Sequence, residues 1–154
     1  IIGTYDRNAS SSGDMYYKGG NLLHTLRHMI DDDEKWRSIL RGLNETFRHR
    51  TVTTSQVEHY ISEQAGSDFE KYFDQYLRTT DIPVLKYSIE GRSLTFRFEN
   101  VVEGFTMPVR ITVNGEVHRI RPSAEEQTET FAFDIDTVEI DRNFYIESEE
   151  VPSR

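Results

Sequence analysis

Apolar residues recur at one period in the first half of the chain and at another in the second. Leu22, Leu23, Leu26, Met29 and Ile30 fall at helical spacing on one face, and Gly19 shares that face. Asp31-Asp32-Asp33 interrupts the pattern and offers an N-cap for a second helix, expected from about Asp33 to His49. Trp36, Ile39, Leu40, Leu43 and Phe47 form its stripe, and Arg48, His49 and Arg50 suit its negative end. Two overlapping capping boxes, Thr53 with Gln56 and Ser55 with Glu58, open a third helix carrying Val57, Tyr60 and Ile61. Gly66 is placed to end it, and Ser67 with Glu70 reads as the cap of a fourth helix bearing Phe69, Phe73, Tyr76 and Leu77.

Asp81-Ile82-Pro83 closes this half, and from Val84 the period is two. Leu85, Tyr87 and Ile89 alternate with polar residues; so do Leu94, Phe96 and Phe98 after a turn at Gly91-Arg92, and then Met107, Val109, Ile111 and Val113. Asn114-Gly115 is a strong hairpin signal, with Val117 to Arg121 as the return strand. Phe131, Phe133 and Ile135 read as a further strand, Val138 and Ile140 as a short one, and the acidic stretch after Ile146 as a frayed tail. The pattern predicts an α+β fold, about four helices followed by a small antiparallel β-sandwich. It divides the chain into a helical part at 1–82, a sandwich at 83–146 and a tail at 147–154.

Composition narrows the function classes. A formal charge of −9 over 154 residues argues against nucleic acid and against an anionic membrane surface. No apolar run approaches the roughly 20 residues that span a bilayer. With no cysteine, disulfides and thiolate metal sites are excluded, and the compartment stays open. The start, Ile1 to Asp6, is neither an initiator Met nor a signal peptide, and the simplest reading is a piece of a longer protein.

Several clusters invite a chemical reading. His24 and His28 stand one helical turn apart, as zinc ligands can, but Thr25 occupies the position where a metalloprotease of this pattern needs a Glu base. A polar face, open or turned toward missing structure, is the plainer account. Asp31 to Glu34 lacks the alternation and central Gly of a calcium loop, which leaves a helix cap. Arg37, Arg41, Arg48 and Arg50 read as a solvated face before an anion site. Ser10 to Ser12 have no adjacent base and read as linker. Tyr16-Tyr17-Lys18-Gly19 follows that Ser/Gly stretch at a helix start, where unpaired backbone N–H groups often wall a site. A tyrosine there can donate a hydrogen bond to a developing oxyanion. From spacing alone, interface aromatics are the plainer reading.

That segment resembles the zinc aminopeptidases of the aminopeptidase N and leukotriene hydrolase type (gluzincins), in which a Tyr-Glu-Lys-Gly motif opens a Leu-rich helix. Here Tyr17 stands where the family has Glu, and Leu22-Leu23 and Leu26-Arg27 follow. Thr53-Thr54 before a helix is similar to the family pattern. So are Phe69 to Leu77 with Pro83-Val84-Leu85, which resembles a "Phe-Phe-x-x-Trp-Leu … Pro-x-Leu" passage with Tyr76 in the Trp position, and Val138 to Asp141. The resemblance runs from about Asp14 to Asp141. It implies a parent enzyme that removes N-terminal residues from a peptide substrate, its zinc held by a His-Glu-x-x-His helix and a further Glu, all upstream and absent from this chain. It implies Tyr16 as the catalytic tyrosine, no zinc bound by this piece and no activity alone. The alternative is a non-catalytic peptide- or carbohydrate-binding module of a pseudoenzyme.

Overall fold

The computed structural model describes residues 13–152, so the expected linker at Ser10 to Ser12 lies outside the described residues. Four helices come first: α1 (Asp14–Ile30), α2 (Asp33–Phe47), α3 (Thr54–Ala65) and α4 (Glu70–Arg78). Seven strands follow: β1 (Val84–Glu90), β2 (Ser93–Glu99), β3 (Val109–Val113), β4 (Glu116–Ile120), β5 (Gln127–Thr130), β6 (Val138–Ile140) and β7 (Glu147–Glu150). The α+β class expected from the two periods is the class observed. Among the described residues no helix is long and apolar enough to cross a membrane.

Local chemistry sets most helix ends. The Asp32 side chain accepts from Lys35 N at 2.9 Å and caps α2. Thr53 and Gln56 form the complete capping box of α3, and Gly66, at φ 67°, ends that helix in the left-handed conformation that glycine adopts without a Cβ penalty. The fourth helix departs from expectation. It begins one residue after Phe69, with no side-chain cap on its N-cap residue, and Asp68 rather than Ser67 accepts from Glu70 N. Phe69 N instead donates to Ser62 Oγ, because the tight α3–α4 corner brings the end of α3 within reach.

The strands form two sheets, in the orders β5-β2-β1-β7 and β4-β3-β6. Leu94, Phe96 and Phe98 of β2 and Val109, Ile111 and Val113 of β3 are buried in one core with Leu85, Phe105 and Met107. The alternating residues face outward, as a period of two requires. Asn114 and Gly115 both have positive φ, which fits the tight β3–β4 hairpin they join.

Two expectations for this half are corrected. Residues 147–150 are not frayed: Glu147–Glu150 pairs with β1 in parallel, Val84 opposite Glu147, so the sheet is mixed rather than antiparallel. Glu147 N donates to Pro83 O, Val151 N to Tyr87 O, and Lys86 pairs with Glu149 across the ladder. Phe131, Phe133 and Ile135 do not lie in a strand. The strand is the exposed Gln127–Thr130 before them, and Phe131 N and Ile135 N donate to Arg92 O and Gly91 O, folding this segment over the β1–β2 turn.

The two halves interlock. Tyr76 of α4 is fully buried; its hydroxyl donates to Tyr145 O at 2.6 Å, and its ring stacks on that of Tyr145. Gln75, also fully buried, donates through Nε2 to Asp81 O and Asn100 O and accepts from Val102 N at Oε1. Such groups are costly to bury unless every polar atom is paired. Buried Thr25 of α1 accepts from Tyr145 N at 2.9 Å. At the other end of α1, Arg119 donates to the carbonyls of His28 and Met29, and Asp31 takes both Arg110 and Arg119. Those arginines supply positive charge where the helix dipole is negative.

Candidate functional site

The first turn of α1 carries the residues singled out from the sequence. Its N-cap, Gly13, has no side chain to offer. Tyr16 and Tyr17 are 76% and 79% exposed, values usual for charged residues rather than tyrosines. Lys18 lies about 200° around the helix from Tyr16. Its Nζ turns inward and donates to Thr79 O, just past α4, at 2.7 Å in a partly buried setting. One turn on, the buried Tyr72 hydroxyl donates to Leu22 O at 2.7 Å. The inner face of α1 is thus bolted to α4, while its outer face presents Tyr16, Gly20 and Leu23 to solvent. A Cβ built on Gly20 would meet nothing within 4 Å.

The other candidate clusters resolve differently. His24 and His28 have ring centroids 4.5 Å apart, close enough to face one ion. His24 Nε2, however, is 2.9 Å from Asn143 Oδ1, and the His28 ring lies 6.2 Å from that of Phe144. The pair therefore lies on a polar face that meets the Asn143–Phe144 segment of the β half, with His24 still exposed. Burial is the main cause that lowers the pKa of His28, followed by the positive charge of His24 and Arg110. Among the described residues no three His, Cys, Asp or Glu side chains converge on a point where a metal could sit. The described residues do not assemble a zinc site.

The acids at 31–34 are each engaged separately. Asp31 takes two arginines, Asp32 caps α2, Asp33 forms a paired contact with Arg27, and Glu34 takes Arg37. The Arg27 guanidinium holds the Asp33 carboxyl below its usual range. Arg48 donates to His49, and Arg48 to Arg50 follow the end of α2 instead of completing it.

Several surface depressions lie away from Tyr16, among them one of about 810 Å³ lined by Tyr87, Arg110, Thr112, Val138, Asp141 and Ser148. One of about 460 Å³ covers the outer face of the four-stranded sheet, lined by Lys86, Ser88, Thr95, Arg97 and Glu99. Another, of about 400 Å³, sits between Met29, the start of α4 and Arg121.

Sequence reasoning missed Thr25 and Gln75. Each is a polar residue at a buried position of an apolar stripe, Thr25 between Leu22 and Leu26 and Gln75 between Phe73 and Tyr76. A polar side chain there signals a buried hydrogen-bond partner.

Comparison with known proteins adds a likeness of fold. The chain is 24% identical over 135 residues to a probable aminopeptidase 1 of Sulfurisphaera tokodaii, a match covering 83% of this chain and 17% of that protein. Its fold superposes on the crystal structure of Legionella pneumophila aminopeptidase A in complex with aspartic acid with a TM-score of 0.73, at 15% identity, over 90% of this chain and 18% of that one. No family model matches. The fold is one found in aminopeptidases, and the chain spans less than a fifth of the length of either protein.

Proposed function

We propose that the whole protein is a zinc-dependent aminopeptidase of the gluzincin type, and that this chain supplies its oxyanion-stabilising tyrosine, Tyr16, without its metal site. In this reading the helices to residue 82 end the catalytic domain, and the β half that follows, now including β7, is a separate sandwich. Zinc and its ligands belong to the missing upstream part, which is also this chain's principal partner. The Tyr16 hydroxyl donates a hydrogen bond to the oxyanion that forms as the peptide carbonyl is attacked. A neutral donor held at the right distance stabilises that charge more than it stabilises the ground-state carbonyl.

The observation that carries this reading is the orientation of α1. Its first turn is fastened from within by Lys18, so that Tyr16 projects outward, unburied, from a fold found in aminopeptidases. A structural tyrosine in this molecule looks different, as Tyr72 and Tyr76 demonstrate.

The test is hydrolysis of a panel of aminoacyl chromogenic substrates by the full-length protein, wild type beside Tyr16→Phe. Expected is a loss of about 10²–10³ in kcat with KM little changed, the signature of a donor that acts in the transition state. A Tyr16→Phe variant as active as wild type removes Tyr16 from the mechanism. A wild type inactive with zinc supplied favours the binding-module reading, for which Tyr17 in place of the family's Glu leaves room.

A further inference from the structure

Lys18 ends on a carbonyl that is itself unusually well fixed. Thr79 O, its acceptor, belongs to the residue that leaves α4 for the β half. The Thr79 hydroxyl donates back to Gln75 O at 2.6 Å and accepts from Asp81 N at 3.3 Å. The Gln75 amide reaches Asp81 O at 2.9 Å, so the turn that presents Thr79 O is closed on both sides. The same amide donates to Asn100 O at 3.0 Å and accepts from Val102 N at 2.8 Å, both in the connection between β2 and β3. A continuous set of hydrogen bonds therefore runs from the β half, through one buried glutamine and one turn, to the first turn of α1.

We propose that Lys18 is a positioning residue for Tyr16, and that the Lys18–Thr79–Gln75 relay makes the β half set where the Tyr16 hydroxyl stands. The proposal rests on the catalytic role given to Tyr16 above. Its physical basis is that the start of α1 has no side-chain cap and would fray without an external hold. A first turn that frays moves a hydroxyl at the end of a long side chain by an ångström or more, and a displacement of that size is costly for a transition-state donor. Lys18 is suited to the task because its long stem reaches across to Thr79 while Tyr16, on the opposite side of the helix, stays free.

The experiment is steady-state kinetics of the full-length protein as wild type, Lys18→Met, Lys18→Arg, Tyr16→Phe and the Lys18→Met/Tyr16→Phe double variant. Lys18→Met keeps the stem and removes the donor. Expected is a kcat lowered about 10- to 100-fold with KM within about twofold, substantial recovery in Lys18→Arg, and no further loss when Lys18→Met is added to Tyr16→Phe. Amide exchange on the same proteins should quicken at Lys18 to Asn21 in Lys18→Met and stay unchanged in α3.

Wild-type kcat in Lys18→Met, or losses that multiply in the double variant, overturn the relay even where Tyr16→Phe alone is crippled and the functional reading survives. Unchanged exchange at Lys18 to Asn21 overturns the anchor itself. A fully active Tyr16→Phe is the distinct result that removes the functional reading, and the relay's catalytic purpose with it.

Discussion

Tyr72 and Tyr76 of α4 lie inside the molecule, each hydroxyl donating to a carbonyl 50 or 69 residues away. Their rings are 4.7 Å apart within an aromatic cluster that includes Phe69, Phe73, Phe105 and Tyr145. Tyr16 and Tyr17, at the start of α1, stand in solvent on an uncapped turn. One residue type thus stands in two settings. Where the ring is packed and the hydroxyl paired, the tyrosine holds α4 to α1 and to the β half. Where ring and hydroxyl are both free, nothing of the fold is lost by giving the side chain to a substrate. The contrast separates buried, paired tyrosines from exposed ones along the chain, and it can be attacked from either side.

The largest effect is expected at Tyr76. Tyr76→Ala removes a fully buried ring and leaves Tyr145 O unpaired, so urea unfolding should show a loss of about 3–5 kcal/mol, enough to unfold a marginal domain. Tyr76→Phe keeps the ring and loses only the hydrogen bond, and should cost about 1–3 kcal/mol. A Tyr76→Ala protein as stable as wild type would mean that the two halves do not depend on this contact.

Alkali gives a second handle on the same pair. Burial raises the pKa of Tyr72 and Tyr76 above a phenol's ordinary value of about 10. A group whose folded pKa is raised keeps its full contribution below the unfolded value. Here the unfolded chain releases its protons first as pH rises past about 10, so stability falls from there upward. Urea midpoints measured from pH 8 to 11 should decline above pH 10, and the decline should be shallower in Tyr76→Phe. An equal slope in the two proteins would show that Tyr76 is not the group responsible.

Much of this arrangement was legible in the chain, and the exceptions have physical causes. Apolar stripes marked all four helices, because each buries one face against the same core. Thr53 with Gln56, Gly66 and Asn114-Gly115 marked ends and turns, because their backbone requirements are local. β7 was not legible. Glu147–Glu150 carries no alternation, since both faces of this edge strand are exposed, and its place is set by backbone pairing to β1 and by Lys86. Phe131 to Ile135 misled for the opposite reason: apolar side chains turn inward there with no ladder behind them. Of the candidate site, the motif around Tyr16 was visible. The inward turn of Lys18 was not, because its acceptor lies 61 residues away. A polar face at His24 and His28 was legible too, because Thr25 breaks the metalloprotease pattern, but its contacts with Asn143 and Phe144, more than 100 residues on, were not.

The smallest expected effect is the sharpest test of the contrast. Tyr16→Phe and Tyr17→Phe each remove a hydroxyl from a side chain more than three-quarters exposed. Water satisfies such a hydroxyl in the folded and unfolded states alike, so its removal should change unfolding free energy by no more than about 0.5 kcal/mol. The comparison is most informative with Tyr72→Phe measured beside them, where a buried hydroxyl loses Leu22 O and should cost about 1–3 kcal/mol. If Tyr16→Phe destabilises as much as Tyr72→Phe, the Tyr16 hydroxyl is already committed to holding the fold. It is then not free to meet a developing charge. If it changes nothing in stability yet cripples the full-length protein, the division between the two pairs is one of function as well as of place.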